Sequence, residues 1–273
     1  AVAHYRQTGC PESRVRGLKA ASHLMGRFNL NGRFIRAWND EVFEDSQGWA
    51  IIDCMMNIPL LHWASKELND PRFSQVAVAH ADTVLKSFLR PDGTVPHIVH
   101  FDPQTGEKIE NMGGQGKSAD SAWSRGQAWA IYGMAISYRE TGHQRYLDAA
   151  KKVARKFWSS LPDDKVPYWD FCTEEKDTWV KDSSAACCAA SGMLEIARLV
   201  DDPEESAFFT NCALELLQSM VDHCACFDDT TQGIIRYGTV SYPANRHVNV
   251  PIIYGDFFFV EALAKWKGLP GLF

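Results

Sequence analysis

Apolar and polar positions along the chain follow one plan that recurs four times. Each copy has the end of one helix, a tight polar turn, and a second amphipathic helix that closes on an apolar residue. The turns fall near Gly9, Asp70, Gly142 and Asp202, so the repeat is about 60 to 72 residues long. Self-similarity at such a period is typical of a repeat architecture, and it predicts an all-α fold built from helical hairpins.

In each full repeat, a more apolar helix precedes a more amphipathic one. An inner helix packed on several sides is apolar nearly all round, whereas an outer helix keeps one charged face for solvent. We therefore predict alternating inner and outer helices arranged in a ring, an (α/α) toroid. The inner helices are predicted over residues 53–68, 121–140, 182–200 and 254–267, and the outer helices over residues 12–28, 71–89, 144–159 and 203–223.

The number of helices does not complete such a ring. These segments give about eight helices, whereas a six-hairpin toroid needs twelve and, at roughly 60 residues per hairpin, about 360 residues. The chain has 273 residues, and the shortage falls before Ala1. We expect a single (α/α)6 toroid domain over residues 1–273 that lacks its N-terminal helices. A smaller closed bundle with a topology of its own is the alternative.

Composition narrows the classes of function. No run of about 18 apolar residues is present, so we expect no membrane span. A formal net charge of −6 and a pI near 5.8 argue against a nucleic-acid-binding protein, whose binding face would be basic. The eight cysteines show no zinc-ligand spacing and are expected mostly in the core. His97 and His100 in PHIVH have no acidic or cysteine partner at ligand spacing, so we expect no metal there.

Carboxylates stand near the starts of the predicted inner helices. Asp53, Asp120 and Asp182 occupy equivalent points of the repeat, and Asp256 lies in the last inner helix. Asp is a favoured N-cap residue, and we favour this capping role for Asp120 and Asp182. Asp53 lies instead within the apolar stretch GWAIIDCMMNIPLLHWA. Because the inner helices of a toroid run in one direction, Asp53 would face the central cavity, where a carboxyl group is suited to acid–base chemistry.

The segment SADSAWSRGQAWAIYG places an arginine and tryptophans together. Arg125 and Trp129 are four residues apart and share one face of a helix. Arginine can bind a carboxylate through two hydrogen bonds, and tryptophan offers a flat face for a sugar ring. The alternative is that the tryptophans are core residues and that Arg125 pairs with an aspartate of an inner helix. His97 and His100, on an extended loop, are candidates for hydrogen bonds to a substrate.

These motifs resemble those of the unsaturated glucuronyl hydrolases, and the resemblance runs through nearly the whole chain. Its most specific parts are FIRAWND, IIDCMMNIPLLHWA, FDPQTGE, AWSRGQAWAIYG, KDSSAACCAASGMLEIA and GDFFFVEAL. The resemblance implies a six-hairpin glycoside hydrolase that removes a 4,5-unsaturated uronic acid from the non-reducing end of oligosaccharides left by polysaccharide lyases. Such enzymes add water across the vinyl ether double bond, and the resulting hemiketal opens by itself. The resemblance implies neither a metal nor an organic cofactor.

The resemblance also implies roles for individual residues. Asp53 would be the proton donor, which protonates C4 and then helps to activate the water that attacks C5. The implied substrate-binding residues are Trp38, His97, Gln115, Arg125, Trp129 and Tyr242. The implied partners are unsaturated oligosaccharides of glycosaminoglycan type, and the implied location is the cytoplasm.

One feature of the family has no counterpart in the sequence. The family has a second aspartate at the central cavity, in an HD-x-GF segment on an earlier inner helix. Its loss would weaken turnover, so a degenerate, non-catalytic sugar-binding toroid is one alternative function. A second alternative is an unsaturated rhamnogalacturonyl hydrolase, although RGQAW favours the glucuronyl branch over its sibling family, which more often has RGNGW. An open ring would also expose apolar faces of inner helices, which would favour a homodimer.

Overall fold

Most of the chain is helical in the computed structural model, which describes residues 1–38, 46–228 and 231–269. These residues contain nine helices: α1 Val2–Thr8, α2 Pro11–Met25, α3 Pro59–Leu68, α4 Pro71–Ser87, α5 Ser124–Thr141, α6 Gln144–Ser159, α7 Ser183–Leu199, α8 Pro203–Ser219 and α9 Ile253–Trp266. They also contain five short strands: β1 Phe28–Asn29, β2 Phe34–Ile35, β3 Trp49–Ile51, β4 Ile98–Phe101 and β5 Lys108–Met112. Asn39 and Asp40, which end the RAWND motif, lie outside the described residues.

The helices form consecutive hairpins, as the repeat predicts. Helix α1 packs on α2, α3 on α4, α5 on α6, and α7 on α8. The inner helices pack against one another in chain order, with α7 between α5 and α9. This arrangement confirms the predicted alternation of inner and outer helices. Helix α1 is the helix end that the repeat predicts before the turn near Gly9, although its seven residues are too few to show a helical period and it has no bounds in the predicted list.

Turn chemistry explains where the helices of each hairpin begin and end. Gly9 and Gly142 end α1 and α5 in the left-handed conformation, with φ values of 69° and 70°, which glycine adopts without a steric penalty. Asp70 and Asp202 begin the outer helices α4 and α8. Each of these side chains accepts a hydrogen bond from the backbone N–H two residues on, and a proline occupies the first helical position. These turns are the polar signals that mark the repeat in the sequence.

Burial follows the pattern of inner and outer helices. Every residue of α7 from Ser183 to Ala197 is buried, as expected of a helix packed on several sides. In α6 the buried positions are mostly apolar and lie on one face. Cys187 and Cys188 lie in the core, in agreement with their interpretation as small core residues. No helix within the described residues is long and apolar enough to cross a membrane.

Two inner helices begin later than the sequence predicts. Residues Ile52–Met56 form a 3-10 turn, and α3 starts only at Pro59. Proline has no N–H with which to continue a helix from the preceding turn, but it is accommodated at the first position of a new one. Helix α5 starts at Ser124 instead of residue 121. Asp53 therefore lies in a tight turn ahead of the inner helix.

A small antiparallel sheet in the order β3-β4-β5 leads into the site described below. Ile51 of β3 pairs with Ile98 of β4, and Ile98 pairs with Met112 of β5. The Ile52 N–H continues this pairing with a 3.0 Å hydrogen bond to the His97 carbonyl. The sheet thus brings together the Ile52–Met56 turn, His97 and the loop after β5, which are far apart in the sequence.

A buried ionic network joins the inner helices near their C-terminal ends. Lys265 Nζ lies 3.0 Å from Glu195 Oε2 and donates a 2.6 Å hydrogen bond to the Tyr132 hydroxyl. Arg139 Nη1 donates to Glu195 Oε1 over 2.6 Å. Removal of one partner from such a buried network is strongly destabilising, because it leaves an uncompensated charge. Charge pairing therefore links α5, α7 and α9 at this end.

Candidate active site

A cavity of ≈ 480 Å³ lies near the N-terminal ends of the inner helices. Its walls come from the Ile52–Met56 turn, the loop after β5, the first turns of α5 and α9, and the segment around Val240. The lining residues are Asp53, Met56, Asn57, Gln115, Arg125, Trp129, Val240, Ile253, Tyr254, Phe257 and Phe258. Four of the residues predicted from the sequence, Asp53, Gln115, Arg125 and Trp129, are therefore brought together.

Asp53 is positioned by the 3-10 turn, which packs directly against α5. A Cβ atom on Gly133 of α5 would come within 2.4 Å of Met55 Cβ, so glycine allows the turn and the helix to approach this closely. The Asp53 side chain is 28% exposed, and its Oδ2 lies 3.4 Å from His97 Nε2. Neither atom has a hydrogen-bond partner among the described residues. The carboxyl group is thus partly open to the cavity and faces one imidazole nitrogen.

His97 stands behind Asp53 and is not among the residues that line the cavity. Its side chain is only 2% exposed, and its ring centroid lies 4.6 Å from that of Trp123. The backbone N–H of Gln115 donates to His97 Nδ1 over 2.9 Å. The structure therefore places His97 in the site as a neighbour of Asp53 and Gln115.

Arg125 combines the two alternatives that the sequence leaves open. It lines the cavity, and it also forms a buried ion pair with Asp182, which precedes the inner helix α7. Its guanidinium further donates to the carbonyls of Thr239 at 2.7 Å and Val240 at 2.8 Å, and to Gln115 Oε1 at 2.9 Å. Burial raises the pKa of the Asp182 carboxyl, while the Arg125 charge acts to lower it. These acceptors fix the cation at the cavity wall.

Trp129 forms an aromatic part of the cavity together with residues of α9. Its ring meets that of Tyr254 edge-on, with centroids 6.0 Å apart, and lies tilted against Phe258 at 5.4 Å. Although Trp129 is only 6% exposed, its remaining surface belongs to the cavity. The cavity therefore has aromatic as well as polar walls, a combination that suits a sugar with a charged substituent.

The other two predicted binding residues, Trp38 and Tyr242, lie outside this cavity as the described residues form it. Trp38 is half-buried and meets Trp49 edge-on, with ring centroids 6.0 Å apart. Tyr242 packs against Trp169 at 5.0 Å, and its hydroxyl donates to Asp177 Oδ1 over 2.9 Å. The structure thus does not bring these two side chains together with Asp53.

The prediction that Asp120 and Asp182 cap inner helices is wrong for Asp120 and is confirmed for Asp182 in position only. Asp120 is exposed and lies ahead of α5, whose N-cap residue is Trp123. Asp182 does occupy the N-cap position of α7, but its side chain makes no capping hydrogen bond. It accepts instead from Arg125 and from the Ser184 hydroxyl. A charged guanidinium makes a stronger hydrogen bond to a carboxylate than a backbone amide does.

Sequence reasoning missed the contribution of α9 to the cavity. Tyr254, Phe257 and Phe258 are spaced by three and four residues, which marks one face of a helix. That signal is present in YGDFFF, although only Asp256 was singled out there. The Asp256 carboxylate accepts from two successive backbone N–H groups at 2.9 and 2.8 Å and is not a lining residue.

The two histidines of PHIVH do not lie in a cluster of metal-ligating side chains. Among the described residues, no group of three or more His, Cys, Asp or Glu side chains could hold a metal ion. His100 Nδ1 lies 3.8 Å from Glu110 Oε1, and its ring meets Trp49.

The side chains at the cavity offer a carboxyl, an amide and a guanidinium beside aromatic rings, a set that can bind an anionic sugar and exchange a proton with it.

Comparison with known proteins covers nearly the whole chain. Residues 1–247 match the model of Glycosyl Hydrolase Family 88. The chain is 37% identical over 263 residues to the unsaturated glucuronyl hydrolase of Bacillus sp. (strain GL1), a match that covers 95% of this chain and 70% of that protein. It is 32% identical over 267 residues to the unsaturated chondroitin disaccharide hydrolase of Streptococcus pneumoniae (strain ATCC BAA-255 / R6), covering 97% and 67% of the two chains.

Solved structures show the same similarity. The crystal structure of unsaturated glucuronyl hydrolase from Bacillus sp. GL1 matches with a TM-score of 0.93 at 35% sequence identity, and the match covers 99% of this chain and 73% of that chain. This agreement confirms the predicted fold class, a helical toroid of hairpins.

Proposed function

This chain belongs to glycosyl hydrolase family 88, and on that premise we propose that it removes a 4,5-unsaturated uronic acid from the non-reducing end of lyase-generated oligosaccharides. The reaction adds water across the vinyl ether double bond of that sugar. The main support for the proposal is that one cavity is lined by four of the predicted site residues, Asp53, Gln115, Arg125 and Trp129. Substrates of glycosaminoglycan type are supported by the relatives named for unsaturated glucuronyl and chondroitin disaccharide hydrolysis.

Arg125 and Gln115 are the residues assigned to the carboxylate of the uronic acid. The guanidinium donates to Asp182, to two backbone carbonyls and to Gln115 Oε1. Of the two side chains among these acceptors, Asp182 is buried behind the cavity wall and Gln115 lines the cavity. The substrate carboxylate takes the place of that amide oxygen on Nη2, and the Gln115 amide turns its NH₂ group toward the ligand. A charged pair then replaces a hydrogen bond to a neutral acceptor, and charge-assisted bonds are roughly twice as strong.

Asp53 is the proposed proton donor. Its carboxyl group transfers a proton to C4 of the unsaturated ring, which leaves positive charge on C5 and the ring oxygen. The Asp53 carboxylate then takes a proton from the water that attacks C5. The net change is the addition of one water molecule, Asp53 returns to its protonated form, and the hemiketal opens to release the remaining sugar. General acid–base catalysis of this kind contributes about 10²- to 10⁴-fold to a rate.

The aromatic residues are assigned to the sugar rings. Trp129 and its α9 neighbours lie at the cavity and pack against the planar unsaturated ring. Trp38 and Tyr242 lie outside the cavity, so we assign them to the neighbouring sugar. His97 acts through its contact with Asp53, as its burial requires.

Unsaturated chondroitin and hyaluronan disaccharides provide the test of this function. We expect the absorbance of the C=C bond to disappear on incubation with the chain, while a saturated disaccharide stays unchanged. Faster turnover of an unsaturated rhamnogalacturonan disaccharide would instead support the sibling activity. Binding of the chondroitin disaccharide without turnover would support a non-catalytic sugar-binding protein.

We also propose a homodimer and a cytoplasmic location. The dimer is supported by exposed apolar side chains on α9 away from the cavity, where Val260 is 51% and Trp266 56% exposed. Sedimentation velocity of the wild type and of Val260→Lys would test the dimer. The location is supported by the small size of lyase products, which can be imported before their final hydrolysis. Cell fractionation would test it.

A further inference from the structure

A buried carboxylate outside the cavity anchors the loop that carries Gln115. Asp170 is 0% exposed. Its Oδ2 accepts from the Lys117 N–H at 2.9 Å and from the Ser121 hydroxyl at 2.7 Å. Its Oδ1 accepts from the N–H groups of Cys172 at 2.8 Å and Ala122 at 3.3 Å. An ionised carboxylate has about four lone-pair sites, so Asp170 is fully satisfied in tying its own segment to residues 117–122.

Hydrogen bonds within the anchored loop fix its shape between Gly113 and Ser121. The Gly116 N–H donates to the Gly113 carbonyl over 2.8 Å, which closes a tight turn around Gln115. The Ser118 N–H donates to the Ser121 hydroxyl oxygen over 3.0 Å. The turn is therefore held by its own hydrogen bond on one side and by Asp170 on the other.

The turn presents the Gln115 N–H to His97. This N–H donates to Nδ1 over 2.9 Å. Gly114 has a φ of +57°, and a Cβ atom there would lie 2.0 Å from the same Nδ1. Only glycine combines this left-handed conformation with so close an approach to the ring.

The contact decides which nitrogen of His97 carries the hydrogen. A ring nitrogen that accepts a hydrogen bond has no hydrogen of its own, so the neutral imidazole carries its hydrogen on Nε2. Nε2 is the atom that lies 3.4 Å from Asp53 Oδ2. Because Nε2 carries the hydrogen, it cannot accept the proton of the Asp53 carboxyl group, and it faces Oδ2 without a hydrogen bond between them.

We propose that Asp170 is a positioning residue, which acts through the loop at 113–121 to hold His97 as the neutral Nε2–H tautomer beside Asp53. Asp170 does not touch the cavity. The inference rests on the proposed function for the reaction step, but the tautomer of His97 can be measured without any substrate. The orientation of a histidine by the group on its other ring nitrogen is a general device of enzymes.

The test compares Asp170→Asn with the wild type and with the matched control Asp102→Asn. The amide in Asp170→Asn would keep one acceptor oxygen, but its NH₂ group would face N–H and O–H groups that also donate. At least one of the hydrogen bonds that Asp170 accepts would therefore be lost. Asp102 likewise accepts from two backbone N–H groups, at 2.7 and 2.9 Å, in the turn between β4 and β5. Imidazole ¹⁵N shifts report the tautomer of His97, whose signals are assigned with His97→Gln, and steady-state kinetics on the unsaturated disaccharide report kcat and KM.

We expect a protonated Nε2 and a bare Nδ1 in the wild type. In Asp170→Asn we expect a mixture of tautomers and a fall in kcat/KM of about 10- to 100-fold, since a misplacement of about 1 Å can cost about 100-fold. Asp102→Asn should change neither. A protonated Nδ1 in the wild type, or unchanged signals and kinetics in Asp170→Asn, would overturn the proposal. If the wild type shows the expected tautomer but no turnover, the proposed function fails and the positioning role stands.

A milder variant covers the case in which Asp170→Asn does not fold. Ser121→Ala removes one donor to Asp170 and the acceptor of the Ser118 N–H without introducing a new group. We expect a smaller shift toward the second tautomer and a loss of kcat/KM of about 3- to 10-fold, because three of the four donors to the Asp170 carboxylate remain. Wild-type ¹⁵N signals in Ser121→Ala would count against the proposal.

Discussion

Replacing Arg125 by glutamine separates its part in the fold from its part in binding. Arg125 forms a buried ion pair with Asp182 and also lines the cavity. In Arg125→Gln the Asp182 carboxylate loses its cationic partner and is left with neutral donors such as the Ser184 hydroxyl at 2.5 Å and the Thr239 N–H at 3.4 Å. The double variant Arg125→Gln/Asp182→Asn removes both charges and leaves two neutral amides.

The expected losses of stability are large because both side chains of the pair are buried: Arg125 is 2% and Asp182 0% exposed. Breaking a buried pair costs about 3–5 kcal/mol, so we expect Arg125→Gln to lower the free energy of unfolding by that amount. The double variant should recover about 1–3 kcal/mol of the loss, because no buried charge is left alone. Binding should not recover, since a hydrogen bond to a charged group is worth about 1.5–3 kcal/mol, or about 10- to 150-fold in kcat/KM.

Urea denaturation gives the stabilities, and disaccharide hydrolysis gives kcat/KM. The methyl ester of the unsaturated uronate serves as the matched substrate, because it has no charge for Arg125 to bind. We expect both variants to lose much less on the ester than on the acid. Recovery of wild-type kcat/KM on the acid by the double variant would refute the binding role and leave Arg125 a purely structural residue.

Three further predictions concern packing, pH and the outer contacts of the site. Gly133→Ala should lower the free energy of unfolding by about 1–3 kcal/mol in urea denaturation, because its Cβ would lie 2.4 Å from Met55 Cβ; wild-type stability would contradict this close packing. Burial lowers the pKa of His80 to about 4, against about 6.5 in an unfolded chain. Between these values the unfolded state binds the extra proton, so the free energy of unfolding should fall as pH drops from about 6.5 to about 4, by up to about 3 kcal/mol, and His80→Gln should reduce this slope. Tyr242→Phe should change KM less than threefold in disaccharide hydrolysis, because it keeps the ring assigned to the neighbouring sugar and removes only a hydroxyl that donates to Asp177; a large rise in KM would show that the hydroxyl contacts the substrate.

The hairpin architecture could be predicted from the sequence because its signals are local. Polar turns such as those at Asp70 and Asp202 cap the outer helices through their own side chains, and the change from apolar to amphipathic helices needs no knowledge of the partner. The start of α3 was harder to predict, because Pro59 begins a helix of its own after a separate turn. Local propensity does not decide between a kinked helix and two elements.

The candidate site could be predicted only in part, because its contacts join residues far apart in the chain. Asp182 looked like a helix cap, but it pairs with Arg125, 57 residues away. No sequence motif marks Asp170 as part of the site, because its role depends on four hydrogen-bond donors that lie in two separate segments of the chain. Family resemblance supplied Asp53 as the candidate proton donor, and the structure adds the cavity and the imidazole beside it.

The most direct test of the account is the activity of Asp53→Asn on an unsaturated chondroitin disaccharide, with Asp120→Asn as the control at the equivalent repeat position. Asparagine keeps the shape of the side chain but has no carboxyl proton to donate. We predict that kcat falls by about 10²- to 10⁴-fold in Asp53→Asn, while calorimetry still detects disaccharide binding and Asp120→Asn keeps wild-type activity. Wild-type turnover by a folded Asp53→Asn would contradict the assignment of Asp53 as the proton donor.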